Sequence, residues 1–263
     1  MSDRLEGRVI VVTGATGIAA ASAERLCSEG ATVFTISYTQ AHCEELHDQL
    51  ASRGYRHGWA TADLRDERQA VAAFDACVDQ FGRVDGLLAV AGGTGRKFGD
   101  GRLDAISLEG WDATIELNLT TTFLSVREAI RRMLEQPTGG SVVVVSSVLA
   151  DHPSPELFGT HAYAVAKGAQ LALVRTTAAA YAPNDIRINA IAPSVVVTPM
   201  SMRAQEDPTV MAYTERKQPL SEGFLAPEPV AAAAAYLLST EAEVVTGQVL
   251  AVDGGWSVTE VGG

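Results

Sequence analysis

The sequence predicts a single doubly wound α/β domain, a seven-stranded parallel sheet with helices on both faces. Three observations carry that expectation. Short runs rich in Val and Ile alternate with helical patterns nearly to the C-terminal end. The runs are continuously apolar rather than alternating, so both faces of each strand need cover, and parallel strands joined by right-handed crossovers supply it. The chain has 263 residues, 47% of them hydrophobic, which is enough for one large core.

The elements follow in order. Residues 9–12 read as the first strand and 19–28 as a helix closed by Gly30. Strand 31–36 precedes a helix over 43–53, and strand 55–60 precedes a helix over 67–81 that Gly82 ends. Residues 84–90 form the fourth strand. One long helix or two abutting helices fill 108–136. Strand 141–146 leads to a helix over 162–182, strand 186–191 to a helix over 228–238, and 248–252 is the last strand. Residues 193–229 hold six Pro and three Met with no clear period, and read as a lid or binding loop. The whole chain, 1–263, is expected to be one domain, with its nucleotide-binding part at about 7–150.

Charge and composition exclude several classes. The net charge is −12 and there are three Lys, which argues against nucleic acid or an anionic membrane surface as partner. Cys27, Cys43 and Cys77 lack metal spacing and read as intracellular thiols; the five His form no ligand cluster, so no metal is expected. The N-terminus is charged and runs directly into a strand, unlike a signal peptide, and no stretch has membrane-spanning character. The expected location is cytoplasmic.

Candidate functional residues gather at two places. V-T-G-A-T-G-I follows the first strand and opens a helix. Gly14 and Gly17 permit a tight turn and close backbone approach to a pyrophosphate, and the free N–H groups beside Thr16 and Ile18 face it with the positive end of the helix dipole. At the end of the second strand, where a carboxylate would grip the ribose of NAD, stand Ser37 and Tyr38. No acid is there to repel a 2′-phosphate and no base to bind one, which favours NADP only slightly over NAD. Asp63 either hydrogen-bonds an adenine amino group or caps the helix beginning near Asp66, with Leu64 beside it. At the second place, Tyr163 and Lys167 stand four apart and share a helix face, sixteen residues after Ser147 at the end of the fifth strand. A phenol beside an ammonium is a tunable acid, and a neighbouring hydroxyl can hold a carbonyl against it.

Taken together these segments resemble the short-chain dehydrogenase/reductase family, a Rossmann-like fold. The resemblance runs from Gly7 to Gly255, through V-T-G-A-T-G-I, A-D-L at 62–64, A-G-G at 91–93, N-L at 118–119, V-S-S at 145–147, Y-A-V-A-K at 163–167, R-I-N-A-I-A-P at 187–193 and V-T-G-Q-V-L-A-V-D-G-G at 245–255. It implies an NAD(P)(H)-dependent oxidoreductase interconverting a carbonyl and a secondary alcohol. Tyr163 would be the acid or base, Lys167 would bond the nicotinamide ribose and acidify the phenol, Ser147 would polarise the carbonyl, and Asn118 would kink its helix and anchor a relay water. The cofactor would also meet Ala91, Gly92, Pro193, Val196 and Thr198. A homo-oligomer, tetramer or dimer, is expected, with contacts from the 162–182 helix and the last strand.

Four departures from the family pattern stand out. The glycine loop is one residue short, with Ala19 for its third glycine. Val90 replaces an Asn whose amide would pin adjacent strands. The Ser147 to Tyr163 interval is longer by about three residues, which implies a remodelled pocket wall, and Ser194 replaces a Gly after Pro193. Leu149, His152, Phe158 and His161 from one loop, and Ser194 and Met200 from the other, are the pocket candidates. With no Arg or Lys evidently placed for an anion, a mainly neutral, apolar substrate is expected. The alternatives are a dinucleotide-binding sensor or scaffold, suggested by the short glycine loop, and a non-redox dehydratase or epimerase using the same Tyr.

Overall fold

The computed structural model describes residues 3–260. Seven parallel strands form one sheet in the order β3-β2-β1-β4-β5-β6-β7: β1 Val9–Thr13, β2 Thr32–Ser37, β3 His57–Thr61, β4 Gly86–Ala89, β5 Gly140–Val145, β6 Ile186–Pro193 and β7 Val249–Val252. The strand order reverses between β1 and β4, the point at which open sheets of this kind bind ligands. The registers Thr13 with Ile36, and Thr13 with Ala89, bring the carboxyl ends of the three strands level there.

The helices are α1 Ile18–Ser28, α2 Gln40–Ser52, α3 Glu67–Phe81, α4 Leu108–Ile115, α5 Thr121–Leu134, α6 Pro155–Phe158, α7 His161–Tyr181, α8 Met202–Gln205, α9 Pro208–Lys217 and α10 Pro227–Leu238. Two apolar layers flank the sheet. Val11, Phe34, Leu87, Val142, Val144 and Ile188 pack beneath α3, α5 and α7. Ile10, Val12, Leu88, Val143 and Ile191 pack on the opposite face beneath α1 and α10. Alternate residues of a strand enter opposite layers, which is why every position in β1 is apolar or buried.

The predicted doubly wound sheet is the observed one. Helix α3 keeps its predicted bounds because both ends are written locally: Asp66 accepts from the N–H groups of Arg68 and Gln69, and Gly82 takes the left-handed conformation at φ 81°. The 108–136 stretch is two helices joined by a π-helical turn, Glu116–Thr120. The 193–229 segment is not irregular. It contains α8 and α9, the latter capped by Asp207 ahead of Pro208. It is tied down by a bridge between Val196 and Leu225 and by the buried Gln218 side chain, whose Oε1 accepts from Val195 N–H at 2.9 Å and whose Nε2 donates to Gly223 C=O at 2.5 Å.

Candidate active site

A cavity of about 450 Å³ opens at the carboxyl ends of β1, β4, β5 and β6. Its first wall is the turn between β1 and α1. Gly14 and Gly17 have φ of 96° and 55°, where side chains are strained. A Cβ on Gly17 would lie 2.7 Å from Thr198 Cγ2, so the turn and the 193–229 segment touch there. Helix α1 begins at Gly17 without a side-chain cap, leaving its first N–H groups for a ligand. Ala19 packs closely against this turn: a Cβ on Gly14 would lie only 3.2 Å from its Cβ, tighter than ordinary contact. These free amides, glycines that admit close approach, and a cavity continuous with Gly14, Thr16 and Ile18 fit a dinucleotide's pyrophosphate.

The strand pinning that Val90 cannot provide comes from β1 instead. The Thr13 hydroxyl accepts from the N–H groups of Val90 and Ala91, both at 3.0 Å. Asn118 pins the next residues. Its Oδ1 accepts from Gly93 N–H at 3.1 Å, and its Nδ2 donates to the carbonyls of Gly93 and Thr114, each at 3.0 Å. A side chain on Gly92 would meet Asn118 Oδ1 at 2.6 Å, which explains the small residues at 92 and 93. The Asn118 carbonyl, freed from regular helical pairing by the π turn, accepts from Gln170 Nε2 at 3.2 Å and from the Thr122 hydroxyl at 2.8 Å. Gln170 Oε1 is buried without a partner among the described residues.

The third wall carries Ser147, Tyr163 and Lys167, all facing the cavity. Two buried Asp100 oxygens accept from the N–H groups of Ala162 and Tyr163, each at 3.0 Å, and so cap α7 where the tyrosine stands. Lys167 Nζ donates to Val145 C=O at 2.8 Å and lies 5.5 Å from the Tyr163 ring centroid. Burial pushes the Tyr163 phenol up to about 12, and a hydrogen bond with Ser147 pulls the other way. Burial also pushes Lys167 down to about 8. Burial thus opposes the acidification expected from the sequence, and the ammonium sits over the ring with its bond turned to the β5 carbonyl.

Of the predicted cofactor residues, Gly14, Thr16, Ile18, Ala91, Gly92, Pro193, Val196 and Thr198 line the cavity. Ser37 and Tyr38 stand at the end of β2, with the Tyr38 side chain 71% exposed. Leu64 is turned into the core. Asp63 neither caps α3 nor stands free: Arg65 holds both its oxygens, at 2.9 and 2.7 Å, and keeps its pKa below the usual carboxylate value.

Of the pocket candidates, Leu149, Phe158, Ser194 and Met200 line the cavity. His152 does not. The turn Val148–Ala150 carries it out to solvent, where its carbonyl accepts from Trp256 Nε1 at 3.3 Å. His161 opens α7 and points away from Tyr163, with Nδ1 2.8 Å from Gly101 C=O. The lengthened 147–163 interval forms α6, and Phe158 there packs edge-on against the fully buried Trp256, ring centres 5.6 Å apart. Sequence reasoning missed Trp256, Val210, Asp207, Arg96 and Arg203, all of which line the cavity. The absence of an evident cationic residue is thus corrected: Arg96 and Arg203 come from distant segments that only the fold brings together. Among the described residues no cluster of three or more His, Cys, Asp or Glu could hold a metal, and no helix is long and apolar enough to cross a membrane.

A reversed-order parallel sheet with this Ser, Tyr and Lys at its switch point is the architecture of an oxidoreductase domain, and the comparisons agree. A family model described as enoyl-(acyl carrier protein) reductase matches residues 12–257. The chain is 36% identical to 3beta-hydroxysteroid dehydrogenase 1 of Eggerthella lenta, over 98% of this chain and 97% of that one. It is also 36% identical to cis-4-hydroxycyclohexanecarboxylate dehydrogenase of Sinomonas cyclohexanicum, over 98% and 99%. The crystal structure of levodione reductase superposes with a TM-score of 0.89 at 28% identity, covering 97% of this chain and all of that one. The chain belongs to the short-chain dehydrogenase/reductase family, and it is an enzyme.

Proposed function

We propose that this enzyme interconverts a ketone and a secondary alcohol, or an aldehyde and a primary alcohol, using NAD(P)(H), with Tyr163 as the acid or base. The observation that carries this reading is the convergence of Ser147, Tyr163 and Lys167 on a cavity continuous with the Gly14–Ile18 turn. When bound, the dinucleotide supplies the hydride donor or acceptor. The protein's own part is orientation and proton transfer. Ser147 donates a hydrogen bond to the substrate oxygen and, as it does here to Tyr163, favours the charged form of the neighbouring oxygen. Tyr163 gives its proton to that oxygen in reduction and takes one in oxidation. Lys167 would hold the nicotinamide ribose, and its positive charge beside the ring would favour the phenolate. Asn118, set in the π turn, would anchor a water that leads the proton away. Segment 7–150 serves the cofactor and 193–229 covers the substrate.

NADP remains slightly favoured over NAD, because no acidic side chain stands at Ser37 and Tyr38. The protein is proposed to be cytoplasmic and a homo-oligomer, tetramer or dimer. Exposed Val165 on α7 and Leu250 on the edge strand β7 favour the oligomer. The relatives' names span a steroid, a sugar and a hydroxy acid, so they leave the substrate open. The apolar lining from Leu149, Leu157, Phe158, Met200 and Trp256 supports an apolar substrate body. Its expected neutrality is reconsidered below.

The test is turnover of a ketone and alcohol panel with each dinucleotide, alongside melting of the protein with NADPH and NADH separately. Dinucleotide-dependent turnover and a dinucleotide-raised melting temperature are expected. Binding without turnover would favour the sensor reading, and a product lacking a two-hydrogen mass change would favour a dehydratase or epimerase.

A further inference from the structure

The cavity's charged lining is unbalanced in a protein of strongly negative net charge. It consists of Lys167, Arg96, Arg203 and Asp207. Lys167 lies deep, its ammonium bonded to Val145. The two arginines and Asp207 stand further out, since they also line an adjoining cavity of about 1080 Å³ and so mark the doorway between the two.

Arg96 comes from the turn Gly95–Phe98 after β4, and Arg203 from α8. Arg96 Nη2 donates to Leu157 C=O at 3.3 Å, which ties it to the substrate-side loop rather than to the Gly14–Ile18 turn. Among the described residues neither guanidinium is within ion-pair distance of a carboxylate. Asp207 is committed elsewhere: its Oδ1 accepts from the N–H groups of Thr209 and Val210 at the start of α9. In the outer cavity Arg102 is paired with Asp104, and Glu156 and His161 are the remaining titratable groups. Burial, and then the positive charge of Arg203, hold Arg96 below its usual pKa, with Asp100 acting the other way.

Two exposed guanidiniums without carboxylate partners at the mouth of the cavity, beside Leu157, Phe158 and Val210, present donors and positive charge to an anion entering there. Two guanidiniums less the Asp207 carboxylate leave one positive charge, which matches a monoanion. Guanidinium geometry favours a planar carboxylate.

We propose that the substrate is a hydroxy acid or oxo acid with an apolar body, its carboxylate held at the doorway by Arg96 and Arg203 while its carbinol or carbonyl carbon lies at Ser147 and Tyr163. This rests on the oxidoreductase reading and replaces a neutral substrate with one charged at its far end.

The experiment measures binding of cis-4-hydroxycyclohexanecarboxylate and of its carboxamide by calorimetry. The protein is saturated with NADPH or, in parallel, NADH, so that the alcohol cannot be oxidised. The acid should bind at least about 10-fold more tightly than the amide at low salt. R96Q and R203Q should each bring that ratio to within about twofold, R96K and R203K should keep part of it, and dinucleotide affinity should not change. Equal binding of acid and amide, or a preference that survives in the double Gln variant, overturns the proposal. Oxidation is followed in parallel with NADP and NAD. Turnover of both compounds without a preference for the acid defeats the carboxylate site and leaves the oxidoreductase reading intact. An arginine-dependent preference without any turnover supports the carboxylate site and counts against the oxidoreductase reading.

Discussion

The nucleotide-side half of the molecule and the 193–229 segment are held together in opposite ways. In the first, the helix ends are written locally, by a glycine turn after β1 and by Asp66 capping the helix it precedes, and one long-range bond, from Val90 N–H to the Thr13 hydroxyl, ties β1 to the chain after β4. In the second, the devices span the chain. Gln218 clasps Val195 and Gly223, the Ser154 hydroxyl donates to Tyr213 at 2.9 Å, and Leu220 N–H donates to Gly254 C=O at 3.0 Å. The first half is therefore a rigid cradle, and the second a cover whose form depends on segments that arrive late in the chain. Chemistry falls at the seam, where Thr198 meets Gly17 and where α7 presents Tyr163.

The sharpest way to separate cradle from chemistry is Tyr163→Phe. Turnover should fall by about 10²–10⁴-fold, while the rise in melting temperature on adding dinucleotide stays as in the parent. Loss of both together would mean the two regions are not separable.

A second test touches only the cradle. His57 on β3 is buried, its Nε2 2.8 Å from Thr35 Oγ1 and its Nδ1 3.2 Å from His47 Nδ1. Burial, and then His47, depress it from the usual 6.5 of a histidine to about 4. The folded protein thus prefers the neutral ring. Its contribution is full above pH 6.5 and is lost as pH falls toward 4, on the order of 3 kcal/mol in total. Urea unfolding at pH 7 and pH 4.5 should show His57→Gln losing less stability between the two than the parent does.

Breaking the cover alone calls for Gln218→Ala, which leaves the Val195 N–H unpaired and the Gly223 carbonyl with the Ser221 hydroxyl alone. A loss of about 2 kcal/mol in urea is expected. KM for the carbonyl or alcohol should rise more than the dinucleotide's dissociation constant; a reversed order would contradict the assignment of the two regions. The last test is Asp100→Asn, which keeps one acceptor oxygen for the α7 cap and turns an NH2 donor against the other N–H. It should cost about 1–2 kcal/mol in melting or urea experiments.

The same contrast explains what was legible in the sequence. The seven strands and their spans follow from periodicity, and the grouping of Gly14, Ser147, Tyr163 and Lys167 as site residues follows from motif spacing, which are local signals. Helix α9 was missed although Asp207-Pro208 is a cap followed by a first-turn proline; six prolines across 193–229 obscured it. Arg96, Arg203 and Trp256 were missed for a different reason. Each belongs to a different segment, and no spacing rule brings the three to one cavity. The opposing effect of burial on the phenol was not legible, because sequence shows the ammonium's proximity and not the burial of both groups.

The indole of Trp256 is wholly enclosed, yet it forms part of the cavity wall, edge-on to Phe158 and Tyr213 and 5.9 Å from the Lys217 ammonium. The molecule thereby carries its own optical gauge. Any guest that moves Phe158, or draws the Lys217 cation nearer or farther, changes this fluorophore's emission, so that filling of the chamber can be watched without a label.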